Sequence, residues 1–280
     1  MGNLDGLGYR GKTVVVTGGA SGMGEATARI LGELGAQVHI VDLNKPQIPH
    51  AQFYATDLTK PEQVSATAAA LRDIGPIDFV FTCAGVPANA SPMVCMLVNY
   101  IGTRQLIEEI LPAVADKGGI AIIASDAAIS WQKNLAQNLE LLAITDPIAA
   151  REWCEKFPEK VRDGYTTSKE MLTVWVQHRA ISLGQERGIR INCTWPCPTG
   201  TAFMEKANLP SDMLDKYPLP LLGRMATAEE QAWPLILLNS PLNNVVTGAV
   251  LYTNQGFVGG IFTGSLDASK LWTSSSKKEA

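Results

Sequence analysis

Three features of the sequence predict an α/β fold with a doubly wound parallel sheet of about seven strands. Short runs rich in β-branched residues alternate with longer helical patterns along the 280 residues. The short runs are almost continuously apolar, as expected for strands that helices cover on both faces. No repeat or Pro/Gly/Ser-rich linker divides the chain before its last part. The sequence therefore favours one Rossmann-like domain over residues 1–264, followed by a C-terminal tail at 265–280.

The predicted elements follow one another in an order that suits parallel strands joined by right-handed crossovers. Strand candidates lie at 13–17, 37–41, 53–56, 79–81, 120–124, 190–194 and 249–253. Helical patterns between them occupy 22–34, 61–73, 92–113, 165–187 and 227–239.

Segment 130–163 interrupts this pattern because it is too long for an ordinary connection of a few residues. Leu135, Leu139 and Leu142 lie at i, i+4 and i+7, which predicts an apolar stripe on a short helix. A second short helix is predicted at 146–157, where an Asp-Pro pair supplies an N-cap and a proline at the first helical position. We expect a helical insertion rather than a disordered flap.

The composition excludes several classes of protein. Hydrophobic residues make up 46% and charged residues 18%, and a net charge of -4 without a basic cluster argues against a nucleic-acid partner. No stretch approaches the roughly 18 apolar residues of a membrane span. The 5 cysteines contain no C-x-x-C motif and the 3 histidines show no paired ligand spacing, so neither a disulfide framework nor a metal site is expected. We expect a cytoplasmic protein.

A glycine-rich turn joins the first predicted strand to the first helix, in the sequence TGGASGMG at 17–24. Glycine lets a backbone turn sharply and approach a pyrophosphate, and the N-terminus of the next helix offers free N–H groups. The pattern alone could be an ordinary turn, but it lies at the strand-to-helix junction that a dinucleotide motif requires. The residues expected to contact a dinucleotide here are Gly18, Ser21, Gly22, Met23 and Gly24.

Asp42 ends the second predicted strand. A carboxylate at this position can accept hydrogen bonds from both hydroxyls of an adenosine ribose, and it repels the 2′-phosphate of NADP. Asp42 could instead simply begin the turn Asp-Leu-Asn-Lys-Pro. The position favours NAD as the cofactor.

Tyr165 and Lys169 lie one helical turn apart, on the same face of the helix that follows the fifth predicted strand. Such a pair often arises by chance, so its place at the ligand-binding edge of the sheet matters more than the pair itself. A nearby ammonium lowers the pKa of a phenol towards the operating pH, as a general acid/base requires.

From Lys12 to Gly260 the chain resembles the short-chain dehydrogenase/reductase family. The matching motifs, in the family's order, are TGGASGMG, Asp57-Leu58, Cys83-Ala84-Gly85, Asn99, Ser125, Tyr165 with Lys169, and Pro196-Cys-Pro-Thr-Gly-Thr201. Each motif is weak alone, but the ordered set is specific. The long insertion before Tyr165 is similar to that of the subgroup of 3α-hydroxysteroid dehydrogenases/carbonyl reductases.

The resemblance implies a role for each matching residue. Tyr165 would exchange a proton with the substrate, Lys169 would hold the nicotinamide ribose and lower the pKa of Tyr165, and Ser125 would hydrogen-bond the reacting oxygen. Asn99 would support a water relay to Lys169. The other cofactor contacts would come from Asp57, Leu58, Cys83, Ala84, Gly85, Thr199 and Thr201.

Three features depart from the family's pattern. Ser125 stands in Ala-Ser-Asp where the family often has two serines, so Ser130 is a second candidate for the catalytic serine. Cys83 replaces a common Asn and Cys197 a common Gly, and both could reshape the cofactor contacts. Ser125 and Tyr165 are also much farther apart in the sequence than is usual in the family.

The sequence therefore predicts an NAD-dependent dehydrogenase that interconverts a secondary alcohol and a ketone. The side chains expected to line a pocket for an alicyclic, steroidal or aromatic ring are Trp131, Trp195, Phe203, Met204 and Leu209. Each of them could equally be an ordinary core residue. An NAD-binding regulator or redox sensor without turnover is the alternative function, and a subunit with only an assembly role is a third.

The predicted insertion also bears on assembly. Its ends leave from Ser125 and return at Tyr165, so it must lie beside the predicted site and cover part of helices 92–113 and 165–187. The outer faces of these two helices commonly pair subunits in the family that the chain resembles. We therefore expect a homodimer built through another surface rather than a tetramer.

Overall fold

The computed structural model describes residues 4–207 and 217–267, and its strands form one parallel sheet. The strands are β1 Thr13–Thr17, β2 Gln37–Asp42, β3 Gln52–Ala55, β4 Ile77–Thr82, β5 Val114–Ile123, β6 Arg190–Pro196 and β7 Val250–Thr253. Their spatial order in this 7-stranded sheet is β3-β2-β1-β4-β5-β6-β7, and all neighbours pair in parallel. The predicted doubly wound α/β fold is confirmed.

Helices cover both faces of the sheet. They are α1 Gly22–Glu33, α2 Pro61–Arg72, α3 Pro92–Cys95, α4 Thr103–Ile110, α5 Leu135–Leu142, α6 Pro147–Lys156, α7 Pro158–Val161, α8 Tyr165–Arg187, α9 Ala202–Ala207, α10 Ala228–Asn239 and α11 Phe257–Thr263. A π-helix, Met96–Gly102, links α3 to α4. Within the described parts of the chain, no helix has both the length and the apolar character needed to cross a membrane.

Alternating side chains on the central strands build a separate apolar core on each face of the sheet. On β1, Val14 and Val16 face one core and Val15 faces the other, and all three are completely buried. The first core lies under α1 and α10, and the second lies under α2, α4 and α8. Burying one such side chain stabilises the fold by about 1.5–3 kcal/mol. This burial explains why the strands are almost continuously apolar.

Strand β5 starts at Val114, well before the predicted start at residue 120. The register shifts between the pairs Ile77–Val114 and Phe79–Gly119, and Lys117 has a positive φ of 63°. Residues 115–118, Ala-Asp-Lys-Gly, therefore form an irregularity within the strand. Their composition does not look like that of a buried strand, so the sequence pattern missed them.

The insertion consists of α5, α6 and α7, which confirms the predicted helical insertion. Asp146 caps α6 as expected, since its Oδ1 accepts a hydrogen bond of 2.8 Å from the Ala149 amide. The helix α7 is an additional turn that begins at Pro158. Proline suits a first helical turn because its missing N–H would have no partner there.

The predicted apolar stripe on α5 is wrong for two of its three residues. Leu135 and Leu139 are 37% and 40% exposed, whereas Leu142 is buried. Asn138 is buried instead, and its Nδ2 lies 3.5 Å from Oε2 of the buried Glu170. A buried carboxylate needs hydrogen-bond donors, so polar contacts decide which face of α5 turns inward.

Candidate active site

The candidate site lies at the carboxyl ends of β1, β4, β5 and β6. Strand β1 has β2 on one side and β4 on the other, so the chain winds outward from this point in both directions. Open α/β sheets bind ligands in the crevice at such a switch point.

The glycine turn between β1 and α1, here called the glycine cradle (residues 17–24), leaves space that side chains would fill. Gly18 has a positive φ of 70°, and a Cβ there would lie 2.5 Å from the amide nitrogen of Ala84. A Cβ on Gly24 would overlap the carbonyl oxygen of Gly18. A Cβ on Gly22 would lie 3.5 Å from Cγ2 of Thr201. The partly exposed turn and the N-terminus of α1 fit a pyrophosphate.

Two further predicted contacts, Ser21 and Met23, lie in the same cradle. Ser21 is exposed at the N-cap of α1, and Met23 is partly buried against the core under that helix.

Asp42 is the last residue of β2, as predicted, and it lies beside the glycine cradle. Its Oδ2 accepts a hydrogen bond of 3.0 Å from the Ala20 amide, and its Oδ1 accepts one of 2.9 Å from the Asn44 amide. The first bond holds the carboxylate against the cradle, and the second forms the local turn that the sequence left open. Asp42 therefore forms the local turn and also contacts the cradle.

Asp57 and Leu58 follow β3 and have different surroundings. Asp57 is partly buried, and its Oδ1 accepts hydrogen bonds from the amide (2.9 Å) and the hydroxyl (2.7 Å) of Thr59. Leu58 is buried in the core under α2. The carboxylate of Asp57 is thus committed to a local turn and the Leu58 side chain to the core.

The turn after β4, Cys83–Gly85, joins the glycine cradle to the rest of the site. The Ala84 amide donates a hydrogen bond of 3.3 Å to the hydroxyl of Thr17. A Cβ on Gly85 would lie 3.3 Å from Oδ1 of Asn99 and 3.9 Å from Nζ of Lys169. Cys83 is partly exposed in this turn.

Ser125, Tyr165 and Lys169, here called the reaction side, come together at the ends of β5 and α8. Ser125 lies close enough to the Tyr165 phenol for its hydroxyl to lower the pKa of that phenol. Lys169 Nζ lies 5.7 Å from the centre of the Tyr165 ring and donates a hydrogen bond of 3.0 Å to the Ile123 carbonyl. Ser130 stands farther along the chain, at the end of a 3-10 turn. The geometry therefore favours Ser125 over Ser130.

Asn99 is completely buried in the π-helix. Its Oδ1 accepts a hydrogen bond of 2.8 Å from the Val86 amide, and its Nδ2 donates bonds of 3.2 Å to the Val86 carbonyl and the Ser168 hydroxyl. These bonds tie the turn after β4 to α8, one residue before Lys169. Single π-turns within helices often mark functional sites.

Burial shifts the pKa of both titrating groups on the reaction side. Burial raises the pKa of Tyr165 to about 12, although the nearby Ser125 hydroxyl opposes this. Burial also lowers the pKa of Lys169 to about 8. The expected lowering of the pKa of Tyr165 is therefore not met in this structure. Desolvation disfavours the charged forms of both groups more than their neighbours stabilise them.

Two residues of the site were missed by the sequence analysis. Asp126 follows Ser125, and its Oδ1 lies 3.4 Å from the serine hydroxyl. The Tyr217 phenol donates a hydrogen bond to Asp126 Oδ2, and the Tyr217 ring stacks on Phe257 with centroids 4.1 Å apart. Asp126 could have been noticed as the neighbour of Ser125. No sequence pattern connects it to Tyr217, 91 positions away.

The predicted pocket residues do not all lie at the site. The Phe203 ring on α9 lies 6.4 Å from the Tyr165 ring, and its neighbour Met204 is partly buried. Trp131 is partly buried and packs against the core that contains α8. Trp195 is completely buried, and its indole nitrogen donates a hydrogen bond of 3.0 Å to the Thr173 hydroxyl. The structure thus places Trp195 in the core, and Leu209 lies outside the described residues.

The loop after β6 lies beside the glycine cradle through Thr201. The Thr201 hydroxyl donates a hydrogen bond of 3.3 Å to the Thr199 carbonyl. Thr199 is buried, and its own hydroxyl donates a hydrogen bond of 2.8 Å to the Cys197 carbonyl. Cys197 is buried as well, and its Sγ lies 3.3 Å from Nε2 of Gln231. In residues 4–207 and 217–267, no group of three or more His, Cys, Asp or Glu side chains could hold a metal ion.

The Rossmann-like fold and the arrangement of the candidate site are typical of oxidoreductases. Residues 12–136 match the family model described as short chain dehydrogenase, and residues 155–258 match the one described as Enoyl-(Acyl carrier protein) reductase. The chain belongs to the short-chain dehydrogenase/reductase family, as its motifs predicted.

Curated relatives include the coniferyl-alcohol dehydrogenase of Pseudomonas sp. (strain HR199 / DSM 7063), which is 32% identical over 70% of this chain and 76% of that protein. The 3-alpha-hydroxysteroid dehydrogenase/carbonyl reductase of Comamonas testosteroni is 28% identical over 87% of this chain and 95% of that protein. The crystal structure of the 3-alpha-hydroxysteroid dehydrogenase from Pseudomonas sp. B-0831 complexed with NADH has a TM-score of 0.77 at 24% identity, covering 91% of this chain and 100% of that chain. The last comparison shows the shared fold.

Proposed function

We propose that this oxidoreductase is an NAD-dependent dehydrogenase that interconverts a secondary alcohol and a ketone on an alicyclic, steroidal or aromatic ring system. The observation that carries the proposal is the meeting of Ser125, Tyr165 and Lys169 beside the glycine cradle. A phenol and an ammonium with perturbed pKa values in a cleft are typical of acid/base catalysis. The relatives named for coniferyl alcohol and for hydroxysteroids support a cyclic or aryl substrate.

Each residue of the reaction side acts on a definite atom in this proposal. When bound, the oxidised nicotinamide supplies the hydride acceptor and a positive charge. Tyr165 takes the proton of the alcohol hydroxyl during oxidation and returns it to the ketone oxygen during reduction. Ser125 donates a hydrogen bond to the reacting oxygen and stabilises the charge that develops there.

Lys169 has two tasks in the proposal. An ammonium has three N–H donors, and the Ile123 carbonyl takes one, so two remain for the hydroxyls of the nicotinamide ribose. Its pKa of about 8 keeps Lys169 protonated at neutral pH, and the positive charge then favours the tyrosinate form of Tyr165. Asn99, which fixes the turn after β4 against α8, supports the relay that carries the proton onward.

Asp42 underlies the choice of NAD over NADP. The Ala20 amide holds its carboxylate against the glycine cradle, which puts a negative charge where a 2′-phosphate would bind. Gly18 and Gly24 leave the space that a dinucleotide backbone needs. The solved relative that was complexed with NADH supports the same choice.

We also propose a cytoplasmic homodimer organised as a single domain over residues 1–264. Helix α5 packs on α8, and α6 packs on the π-helix, so the insertion covers part of the faces that pair subunits in this family. The five cysteines are unpaired, which suits a reducing compartment. A tetrameric mass in light scattering would contradict the dimer.

Formation of NADH from a panel of alicyclic, steroidal and aryl secondary alcohols tests the proposed function. We expect turnover with at least one of these classes and much weaker turnover with NADP. Binding of NAD without turnover across the whole panel would instead favour a regulator or redox sensor. Failure to bind NAD would defeat the proposal.

A further inference from the structure

Asp126 is a carboxylate that the proposed mechanism leaves unused, although it adjoins the serine that would hold the reacting oxygen. It is partly buried, and its Oδ1 lies 3.4 Å from the Ser125 hydroxyl. Among the described residues, its side-chain partners are the hydroxyls of Ser125 and Tyr217, and no lysine or arginine neutralises its charge.

A carboxylate in these surroundings needs strong hydrogen-bond donors. Burial raises the pKa of Asp126 to about 6, so at neutral pH it is mainly ionised and can only accept hydrogen bonds. Hydrogen bonds to an ionised acceptor are about twice as strong as bonds between neutral groups. The Tyr217 phenol shows which kind of donor suits this position, namely a hydroxyl group carried on a ring.

We propose that Asp126 determines substrate specificity by accepting a hydrogen bond from a second hydroxyl group of the substrate, in the position that the Tyr217 phenol holds. This inference rests on the proposed dehydrogenase function and narrows its substrate class. The preferred substrates carry an alcohol or phenol hydroxyl in addition to the carbinol group that is oxidised.

Ser125 and Asp126 lie close enough together to contact two oxygens of one substrate. Asp126 Oδ1 is 3.4 Å from the Ser125 hydroxyl, and Oδ2, which the Tyr217 phenol contacts, belongs to the same carboxylate. A hydrogen bond of about 2.8 Å from Ser125 to the carbinol oxygen and one from a second substrate hydroxyl to Asp126 Oδ2 can therefore both reach one ring system. The Tyr217 ring stacked on Phe257 forms an aromatic wall beside this position.

The negative charge of Asp126 raises the pKa of Tyr165 and so opposes formation of the tyrosinate. Because the substrate hydroxyl takes the place of the Tyr217 phenol, the number of donors to Asp126 stays the same. We therefore expect the preference for hydroxylated substrates mainly as a lower KM.

Matched pairs of substrates test the proposal. The alcohol arm compares cyclohexane-1,2-diol and cyclohexane-1,3-diol with their monomethyl ethers, which keep the ring and the oxygen but lack the donor. The phenol arm compares 1-(4-hydroxyphenyl)ethanol with 1-(4-methoxyphenyl)ethanol. In at least one arm, kcat/KM should favour the hydroxylated member by about tenfold or more, as expected for a hydrogen bond to a charged group. Asp126→Ala should abolish this preference, and Asp126→Asn should leave part of it.

Tyr217→Phe gives an independent check with the opposite sign. It keeps the ring on Phe257 but removes the phenol that competes for Asp126, so KM should fall about threefold or more for hydroxylated substrates relative to their ethers. Equal changes for both members of every pair, in Asp126→Ala or in Tyr217→Phe, would overturn the proposal.

Calorimetric binding of the same pairs to the enzyme with NADH separates this inference from the proposed function. Preferential binding of the hydroxylated member without any turnover would support the Asp126 site and contradict the proposed dehydrogenase activity. Turnover without any preference in wild-type binding or kinetics would support the dehydrogenase activity and contradict the Asp126 site.

Discussion

The glycine cradle and the reaction side are built in different ways. In the cradle, backbone atoms approach so closely that Gly18 and Gly24 leave no room for a Cβ: Gly24 meets the Gly18 carbonyl in the same turn, and Gly18 meets the backbone of Ala84 after β4. On the reaction side, Ser125 follows β5 whereas Tyr165 and Lys169 lie on α8, and burial shifts the pKa of the phenol and the ammonium. The comparison shows that backbone contacts set the shape of the cradle, whereas desolvation sets the charge on the reaction side.

Removing the Tyr165 hydroxyl should have the largest effect, and only on the reaction side. Tyr165→Phe keeps the ring and deletes the titrating group, so kcat should fall about a hundredfold to ten-thousandfold. The dissociation constant for NAD, measured by fluorescence titration, should change little because the cradle is untouched. Near-normal turnover would mean that another group moves the proton.

Glu170→Ala tests how strongly buried contacts with α8 anchor the insertion. Glu170 is completely buried on α8, where it accepts hydrogen bonds from Arg162 (2.6 Å) and Asn134 (3.0 Å) of the insertion. Removing it leaves these donors without their acceptor, so the free energy of unfolding in urea should fall by about 3 kcal/mol.

Glu155→Ala is the matched control for that change. Glu155 pairs with Arg151 at 2.9 Å within the same insertion, but both side chains are about half exposed. Its removal should change the unfolding free energy by less than about 0.5 kcal/mol. Equal losses in the two variants would show that Glu170 does not anchor the insertion.

Gly24→Ala should damage the cradle and leave the chemistry of the reaction side in place. The new methyl group would overlap the Gly18 carbonyl, so we expect a loss of about 1–3 kcal/mol in stability and a weaker affinity for NAD by tenfold or more. Gly32→Ala is the control, because Gly32 lies in the same helix with open space around it. The free energy of unfolding of that variant should rise by about 0.5–1 kcal/mol, and its affinity for NAD should not change.

Asp42→Ala should have the smallest effect and change the choice of cofactor rather than the rate of the chemistry. It removes a ribose partner and a source of repulsion together, so kcat/KM should fall by about tenfold with NAD and rise with NADP. Steady-state kinetics with both cofactors checks this. A wild-type enzyme that already prefers NADPH would show that Asp42 has no such role.

Local patterns predicted the elements of this fold well, because strand runs, glycine turns and the cap at Asp146 depend on nearby residues. They failed where long-range contacts decide. The buried Glu170 carboxylate turns Asn138 inward and leaves Leu139 exposed, and Thr173 fixes the indole of Trp195 in the core.

The candidate site shows the same division. The order of motifs along the chain predicted which residues stand at the strand ends, and the structure brings Ser125, Tyr165 and Lys169 together. The sign of the shift in the pKa of Tyr165 depends on desolvation, which a sequence does not show. The contact of Tyr217 with Asp126 joins distant parts of the chain, so no local sequence pattern predicts it.

Transfer of a labelled hydride tests the central claim most directly. A secondary alcohol deuterated at its carbinol carbon is incubated with NAD and the enzyme, and the mass of the reduced cofactor is measured. We predict reduced cofactor that carries the deuterium with the wild-type enzyme, and at least a hundredfold slower formation of it with Tyr165→Phe. Reduced cofactor without deuterium, or equal rates in the two proteins, would contradict the account.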